Sequence, residues 1–306
     1  MNGVLIIDKP AGFTSHDVVA RVRRILQQRA VGHLGTLDPM ATGVLPLVLG
    51  NMTRLAQFYL SSDKSYEGVI RFGFATDTYD AEGEPAGPAT EPSLTLEHVR
   101  ELATKFTGTI EQMPPPFSAK KVGGVPAYKL ARKKKDVALN PVQVEIKKFE
   151  ILAMDDANTC ARFCARVASG TYMRSVAHEM GQLAGCGAHL QSLRRTAVAD
   201  FELEDAHSLE ELEQSAGDLQ NSKSAGEGKR VEAIADLCVH PRQLLPSIPA
   251  VTATEEMLSR IRHGRPVNLP ELSRTREVKV FSGQRDLIAI CTRVAGTLFH
   301  PRIVLL

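Results

Sequence analysis

A glycine-rich polar loop that ends in an apolar run restricts the fold of this chain more than any other feature of its sequence. The loop covers residues 32–43 and the apolar run covers residues 44–49, between a predicted helix over residues 18–28 and another that starts at Asn51. Such a loop presents a side chain into a cleft with little steric cost. Its carboxylate is Asp38, where the following proline favours an extended or turn backbone.

Hydrophobic periodicity predicts both strands and helices around this loop. Alternation over residues 64–76 places Tyr66, Gly68 and Ile70 on one side of a half-buried strand. The other predicted strands cover residues 3–8, 142–152 and 162–167, and the other predicted helices cover residues 51–61, 96–104 and 170–183. These elements predict an α+β fold.

The C-terminal part of the chain has a different character. A segment rich in Ser, Gly and Lys over residues 215–229 predicts a flexible linker and a domain boundary. Beyond it, one helix near residues 254–262 and strands at 277–281, 286–293 and 302–306 predict a small β-rich module.

Composition and charge predict a globular protein and leave its partner open. With 43% hydrophobic residues among 306, the chain can bury a core, but its apolar stretches are too short to span a bilayer. The first ten residues lack the basic start of a secretory signal, so we expect a cytoplasmic protein. The net charge of +2 is too mild to prove a polyanionic partner. Basic residues nevertheless cluster, which suits RNA phosphates and equally suits solvated faces: Arg21, Arg23, Arg24, Lys120, Lys121, Arg132, Lys133, Lys134, Lys135, Arg194 and Arg195.

The odd number of cysteines, five, predicts reduced thiols rather than disulfides. The spacing of Cys160, Cys164, Cys186 and His189 raises a zinc site as an alternative. The first two cysteines lie in a predicted strand, where they share a face, and this favours small buried hydrophobic residues. We therefore expect no metal and no cofactor.

Taken one at a time, the residues able to carry chemistry also have ordinary structural explanations. Asp38 is either a catalytic base or nucleophile, or a turn residue that caps a helix. His33 is a general base, a shape-filling residue or a turn residue. Tyr66 and Tyr172 are buried aromatics with satisfied hydroxyls, or stacking partners for an RNA base.

Three arginines have similarly open interpretations. Arg174 lies in the first turn of a predicted helix, where the helix dipole disfavours a cation, and this misfit suggests a carboxylate partner. Arg194 and Arg195 are phosphate contacts or a surface pair.

Five motifs in order change this picture, because together they resemble the TruB family of tRNA pseudouridine synthases. They cover most of residues 3–205 and read GVLIIDKPAGFTSHDVV, GHLGTLDPMATGVLPLVLG, DKSYEGVIRFGFATDTYDAEG, SGTYMRSVAHEMG and GAHLQSLRRTAVADF. The resemblance implies the pseudouridine synthase fold, a mixed and mostly antiparallel central sheet with flanking helices. It also implies isomerisation of the uridine at position 55 in the tRNA T-loop.

Individual residues acquire roles from the same resemblance. Asp38 matches the catalytic aspartate, Arg174 the arginine that pairs with it, and Tyr66 the tyrosine that stacks on the target base. Leu193 matches an apolar residue of the uridine pocket, and Tyr172 matches an aromatic residue beside the site. His33 would occupy the space left by the flipped nucleotide. Lys9 and Pro10 match a Lys-Pro pair that supports the catalytic loop.

The resemblance further implies a domain organisation and a partner. A catalytic domain over residues 1–236 contains an RNA-clamping insertion at 112–140, and a PUA-like RNA-binding domain covers residues 250–306. The clamp residues that face phosphates are Lys120, Lys121, Arg132, Lys133, Lys134 and Lys135. We expect a monomer that binds tRNA without an obligate protein partner or a membrane.

Two other functions remain as alternatives. One is a non-catalytic tRNA-binding protein or RNA chaperone, which the presence of Asp38, Tyr66 and Arg174 disfavours. The other is a metal-assisted hydrolase that uses His33, Cys186 and His189, whose spacing is poor for a ligand cluster.

Overall fold

The computed structural model describes residues 1–118, 120–122, 124–127, 130, 139–221, 234–271 and 274–306, without the side chains of residues 121, 122, 126 and 218–221. The strands are β1 (Gly3–Lys9), β2 (Val31–His33), β3 (Thr42–Leu49), β4 (Lys64–Phe72), β5 (Gly108–Gln112), β6 (Lys121–Val122), β7 (Val125–Pro126), β8 (Val142–Met154), β9 (Cys160–Val167), β10 (Ala188–Val198), β11 (Phe201–Glu202), β12 (Ala250–Thr252), β13 (Val267–Asn268), β14 (Glu277–Ser282), β15 (Asp286–Ala295) and β16 (Leu298–Val304). The α-helices are α1 (Ser15–Leu26), α2 (Ala56–Tyr59), α3 (Leu96–Thr104), α4 (Met173–Leu183), α5 (Leu209–Asn221) and α6 (Glu255–Arg262). Short 3-10 helices cover Gly50–Leu55 and Leu203–Asp205.

Within these described ranges, nine strands form one central sheet in the order β1-β3-β10-β4-β9-β8-β5, with β2 beside β3 and β11 beside β10. The pairing of β3 with β10 is parallel, and the other pairings are antiparallel. Helix α3 packs on β8, and α4 packs on β10 and β4. The predicted α+β class with a mixed, mostly antiparallel sheet and flanking helices is confirmed.

Strands β1 and β3 are almost wholly apolar because both of their faces are covered. Leu5 and Ile7 of β1 point into the main core, which lies between the sheet and the helices. Val4 and Ile6 point the other way, into a second hydrophobic cluster. Successive side chains in a strand alternate between faces, so an apolar run without alternation is what a doubly covered strand requires.

The second hydrophobic cluster joins the central sheet to the C-terminal module. It contains Phe281, Ile290 and Ile303 from the module together with Val48 from β3. The backbone N–H of Leu245 donates to the Tyr59 hydroxyl at 3.2 Å inside the same cluster. The two parts of the chain therefore share a hydrophobic core rather than meeting across a solvated hinge.

The C-terminal module is β-rich, as predicted. Among its described residues, five strands form a sheet in the order β12-β14-β15-β16-β13, with α6 packed against β13 and β16. Thr254 caps α6 by accepting a hydrogen bond from the backbone N–H of Met257. Its likeness to a PUA domain stays a prediction.

The linker predicted over residues 215–229 is wrong in its first part. Residues 215–221 belong to α5, because Leu209, Leu212 and Ala216 follow one another at helical spacing and are buried in the main core. Residues 222–229 lie outside the described residues.

Candidate active site

The loop that carries Asp38 is held from below by a buried arginine. Arg195 is 1% exposed, and its guanidinium donates to the carbonyl oxygens of Gly35, Thr36 and Val44 at 3.1, 3.2 and 2.8 Å. Buried carbonyl groups need a donor, and a planar guanidinium supplies several from one fixed position. Arg195 therefore ties the part of the loop that precedes Asp38 to the start of β3.

A buried lysine and a serine hold the two residues that flank Asp38 in the loop, Pro39 and Leu37. Lys9 is 0% exposed and donates from Nζ to the carbonyl oxygens of Pro10, Phe13 and Pro39 at 2.8, 2.6 and 3.1 Å. Ser15 Oγ donates to the Leu37 carbonyl oxygen and accepts the Leu37 N–H. Burial lowers the pKa of Lys9 to about 8, and the nearby negative charge of Asp38 opposes this shift. Lys9 thus contacts the loop at Pro39 and also binds the Pro10 carbonyl oxygen, and the supporting role of these two residues stays a prediction.

Asp38 forms the predicted ion pair with Arg174. Arg174 Nη2 lies 2.9 Å from Asp38 Oδ1, and the side chains are 5% and 33% exposed, respectively. The same Nη2 donates to the carbonyl oxygen of Phe117 at 3.0 Å. Helix α4 begins after Tyr172 without a side-chain cap, so the arginine in its first turn points at this carboxylate instead of at solvent. The pair leaves the Asp38 carboxylate at a partly open position.

A second carboxylate, Asp80, approaches Arg174 from the opposite side. Its Oδ2 lies 3.4 Å from Arg174 Nη1, which also donates to the carbonyl oxygen of Thr78 at 3.1 Å. Asp80 is buried, and its Oδ1 accepts hydrogen bonds from Thr78 Oγ1 and the backbone N–H of Glu82. One buried guanidinium therefore faces two carboxylates, of which Asp38 is the more exposed.

Sequence reasoning missed Asp80, because the stretch 78–92 is loaded with Gly, Pro and acidic residues, a composition that is typical of surface connections. Most of this stretch is exposed, but Asp80 is buried. The available signal was the misplaced charge of Arg174, since a fully buried guanidinium is expected to engage more than one acceptor.

Two side chains from adjacent strands form an apolar wall beside the loop. Leu193 on β10 is buried and pairs in register with Gly68 on β4, while Arg195 pairs with Tyr66. Tyr66 is half-buried, packs against the main core and lies beside Arg195, with which it pairs in register across the two strands. A Cβ at Gly68 would lie 2.6 Å from the Ser192 carbonyl oxygen and 2.7 Å from the Phe163 ring, so this position requires glycine.

Tyr172 and His33 both lie at element ends that face this region. The backbone of Tyr172 is tied to the buried Gln112, which accepts its N–H at 2.8 Å and donates to its carbonyl oxygen at 3.1 Å. Burial raises the pKa of the Tyr172 hydroxyl. At the end of β2, burial and then the positive charge of Arg195 lower the pKa of His33, so its imidazole is neutral near pH 7.

The predicted RNA-backbone residues have four different surroundings or descriptions. Arg195 is wrong as a phosphate contact, because it is buried and its donors are used by loop carbonyls. Arg194 points to the opposite side of the strand, where it pairs with Asp8 at 2.7 Å and stays half-exposed. Lys120 is partly buried, and the backbone of Lys121 begins β6. Arg132, Lys133, Lys134 and Lys135 lie outside the described residues.

The residues considered for a metal have other surroundings. His189 is buried, with its ring 4.6 Å from that of Phe74 and Nδ1 3.1 Å from the Phe74 carbonyl oxygen. All five cysteines are free. In the part of the chain that the structure describes, no group of three or more His, Cys, Asp or Glu side chains is placed to hold a metal ion, and no helix is long and apolar enough to cross a membrane.

Two solved structures have a fold similar to that of this chain. A crystal structure of a Cbf5-Nop10-Gar1 complex matches with a TM-score of 0.71 and 24% identity, covering 99% of this chain and 85% of that chain. An H/ACA RNP bound to a substrate RNA containing 2'-deoxyuridine matches with a TM-score of 0.69, 23% identity and coverage of 99% and 85%. The chain therefore has the fold of these matched chains.

Sequence comparisons show the family to which the chain belongs. The sequence model described as TruB family pseudouridylate synthase (N terminal domain) matches residues 23–173, and that described as tRNA pseudouridylate synthase B C-terminal domain matches residues 174–235. The tRNA pseudouridine synthase B of Solibacter usitatus is 46% identical over 309 residues, covering all of both chains. That of Geobacter sulfurreducens is 41% identical over 267 residues, covering 87% of this chain and 83% of its own. The chain belongs to the TruB family of pseudouridylate synthases.

Membership of this family makes the chain an isomerase that acts on uridine in tRNA. The border between the two matched sequence models, at residues 173 and 174, falls inside helix α4 and between Met173 and the arginine that holds Asp38. Both matches therefore describe parts of one continuous sheet-and-helix unit. The structural change of architecture comes later, at the β-rich module that begins with β12.

Proposed function

We propose that this enzyme isomerises the uridine at position 55 in the tRNA T-loop, with Asp38 as its catalytic carboxylate. The observation that carries the proposal is the ion pair between the buried Arg174 and the partly open Asp38. Burying a guanidinium costs desolvation, so a sequence that buries one next to an accessible carboxylate obtains a fixed charge rather than stability alone. The hydrogen bonds that hold the Asp38 loop serve the same purpose.

The reaction needs a carboxylate next to the ribose and a pocket that retains the base. The N1–C1′ bond breaks, the detached uracil rotates, and a C5–C1′ bond forms; the proton on C5 is lost and N1 ends with a proton. Atoms and electrons balance within the nucleotide, so no redox partner enters. Asp38 either attacks the ribose or removes its 2′ proton, and in both routes Arg174 sets the direction of the carboxylate.

A uridine inside a folded T-loop must leave its stack before a protein side chain reaches it. We propose that Tyr66 stacks on the flipped base and that Leu193 supplies an apolar wall of its pocket. Tyr172 packs beside them, and His33 fills the space that the nucleotide leaves. A neutral imidazole suits that role, because a buried charge there would be costly.

The same proposal includes the partner and the setting. The tRNA backbone is contacted by Lys120 and Lys121, by Arg132–Lys135, and by the exposed part of Arg194, while the C-terminal module acts as a PUA-like RNA-binding domain. The enzyme works as a monomer in the cytoplasm without an obligate protein partner. Replacement of Lys133, Lys134 and Lys135 by Ala tests the clamp, and the slope of log affinity against log salt then becomes shallower by about 2. An unchanged slope contradicts that part.

The test of catalysis is tritium release from C5-labelled uridine in unmodified tRNA. We expect Asp38→Asn to bind tRNA with the affinity of the wild type and to release no label above background. Asp77→Asn is the matched control, since Asp77 is exposed, lies three residues from Asp80 and accepts a backbone N–H from Glu84. Label release by Asp38→Asn at the wild-type rate would overturn the proposal. A wild-type protein that binds tRNA and releases nothing would support the tRNA-binding alternative.

The target position has its own test. A tRNA that carries cytidine in place of the uridine at position 55 should release no label from its other uridines. Release from this tRNA at the wild-type rate places the reaction elsewhere in the molecule.

A further inference from the structure

An aromatic stack lies directly behind the Arg174 site and is not used by the proposed chemistry. The rings of Tyr79 and His178 are parallel, with centroids 3.7 Å apart and an angle of 12° between their planes. Tyr79 has a φ of 67°, in the left-handed region that residues other than glycine rarely adopt. A bulky side chain in this conformation needs contacts that hold it there.

The left-handed turn at Tyr79 determines what its two neighbours present to Arg174. The carbonyl oxygen of Thr78 and the carboxylate of Asp80, on either side of Tyr79, both face Nη1, at 3.1 and 3.4 Å. With an ordinary negative φ at residue 79, the peptide planes on its two sides would rotate relative to each other. The two acceptors would then no longer converge on one nitrogen atom.

The backbone around Tyr79 is tied on its other side to β10. The N–H of Leu190 donates to the Tyr79 carbonyl oxygen at 3.0 Å, and the Leu190 carbonyl oxygen accepts from the N–H of Ala81 at 3.0 Å. These two bonds fix the outgoing chain, while the peptide between Thr78 and Tyr79 is held by the Tyr79 N–H, which donates to the Thr76 carbonyl oxygen at 3.3 Å, and by the bond from Arg174 to the Thr78 carbonyl oxygen. The ring of Tyr79 is the additional contact, and it rests on α4.

His178 is placed to serve as that contact because it lies one helical turn after Arg174. Residues four apart project from the same helix face, so the imidazole and the guanidinium are neighbours. Burial lowers the pKa of His178, and the ring is a neutral plate at pH 7. Its Nδ1 is buried without a hydrogen-bond partner among the described residues, while Nε2 lies 3.0 Å from the Gln182 amide nitrogen. A buried nitrogen without a partner is unfavourable, and a phenyl ring at this position would not carry one. We therefore take the stacking face of the ring as the contact that matters here.

We propose that Tyr79 and His178 are positioning residues, whose stacked rings hold Thr78 and Asp80 against Arg174 and thereby keep its guanidinium aimed at Asp38. This inference rests on the proposed function of Asp38. The stack acts on the rate of isomerisation and not on the binding of tRNA, because neither residue belongs to the proposed pocket wall or to the proposed RNA contacts.

The experiment measures the single-turnover rate of label release at saturating enzyme, together with the dissociation constant for tRNA. We expect His178→Ala to lower the rate about tenfold, as a displacement of the pair by a fraction of an ångström does, and to leave the dissociation constant within about twofold. His178→Phe keeps a flat ring at the same place and should restore most of the rate. Tyr79→Phe should behave as the wild type, and Tyr79→Ala as His178→Ala.

A control variant is needed to distinguish a loss of protein stability from a loss of the alignment between Arg174 and Asp38. Phe106→Leu removes an edge-on contact with Phe149, at 6.2 Å, in the same main core but away from Arg174. This variant should lose stability and keep its rate at a temperature where all variants are folded. If His178→Ala keeps the wild-type rate, or if the rates of both variants fall in proportion to their stability, the positioning role is wrong. If Asp38→Asn is fully active, the proposed function fails first, independently of the stack.

Discussion

Arg174 Nη2 lies 2.9 Å from Asp38 Oδ1, and the partners of its other nitrogen, Nη1, come from the segment before Asp80 and from Asp80 itself. The guanidinium is 5% exposed at its side chain, whereas Asp38 is 33% exposed. The arrangement separates two jobs: one carboxylate neutralises the buried charge, and the other is presented at the opening. It also means that the position of Asp38 depends on residues distant from it in the sequence.

The fork geometry of Arg174 predicts the effect of Arg174→Lys. A lysine ammonium is a point charge and cannot serve both Asp38 and Asp80 from the planar arrangement seen here. We expect the single-turnover rate to fall by about 100-fold, since misplacement near the reacting atoms is costly. Arg166→Lys, which alters a largely exposed pair with Asp63 at 3.0 Å, is the matched control and should change the rate by less than about twofold. Equal losses in both variants would contradict the prediction.

The buried Lys9 predicts a particular dependence of stability on pH. Its pKa is about 8 in the folded protein, against the ordinary value of 10.5 in the unfolded chain. Between these values the unfolded chain holds more protons, so raising the pH through this window stabilises the folded state; below about pH 8 the penalty for the buried charge is fully present.

The variant Lys9→Met lacks this contribution, so the free energy of unfolding of the wild type minus that of the variant should increase from pH 7 to pH 9.5. Urea unfolding of both proteins at the two pH values measures it, and all other titrating groups cancel in the comparison. A difference that stays flat or decreases would show that Lys9 titrates normally.

The close approach of β3 to β10 predicts a strong effect of Gly43→Ala. Gly43 has a φ of 101°, and a Cβ there would lie 2.2 Å from the Arg195 carbonyl oxygen. Backbone strain and the clash together should destabilise the fold by about 3 kcal/mol or more and weaken label release by displacing the loop. Gly12→Ala has a comparable φ of 81° with nothing within 4 Å of the new Cβ, so it isolates the strain. Thermal unfolding of both variants measures the difference, and similar losses would mean that the clash is relieved.

The hydroxyl of Tyr59 predicts a link between the C-terminal module and the rest of the protein. Tyr59→Phe leaves the buried N–H of Leu245 without its acceptor, which should cost about 1–3 kcal/mol. Because the second hydrophobic cluster is shared, the C-terminal module and the central sheet should unfold in one transition in both proteins. Calorimetry measures this directly. Two separate transitions in the wild type would show that the shared core does not couple them.

Local patterns predicted the elements well, because these patterns reflect local geometry. Helix α3 has the predicted bounds, and the strands that alternate, such as β4 and β9, begin within a few residues of their predicted starts. The Asp38 site came from the resemblance of motifs far apart in the sequence, since local features alone left the residue as a turn or a helix cap.

The errors have a common physical origin in contacts that are distant along the chain. Arg194 and Arg195 look alike as a basic pair, but consecutive residues in a strand point to opposite faces, and β10 was not among the predicted strands. One arginine therefore reaches Asp8 at the surface, and the other enters the core. Asp80 was missed for the same reason, because its burial is decided by Arg174 and by β10.

The shared cluster also constrains how this chain is able to change over evolutionary time. Val4, Ile6, Val44 and Val48 are apolar on the face of β1 and β3 that the C-terminal module covers. A descendant that lost the module would expose these side chains as an adhesive patch directly behind the loop of Asp38. Shortening of the chain and replacement of these valines and isoleucine by polar residues would therefore have to be inherited together.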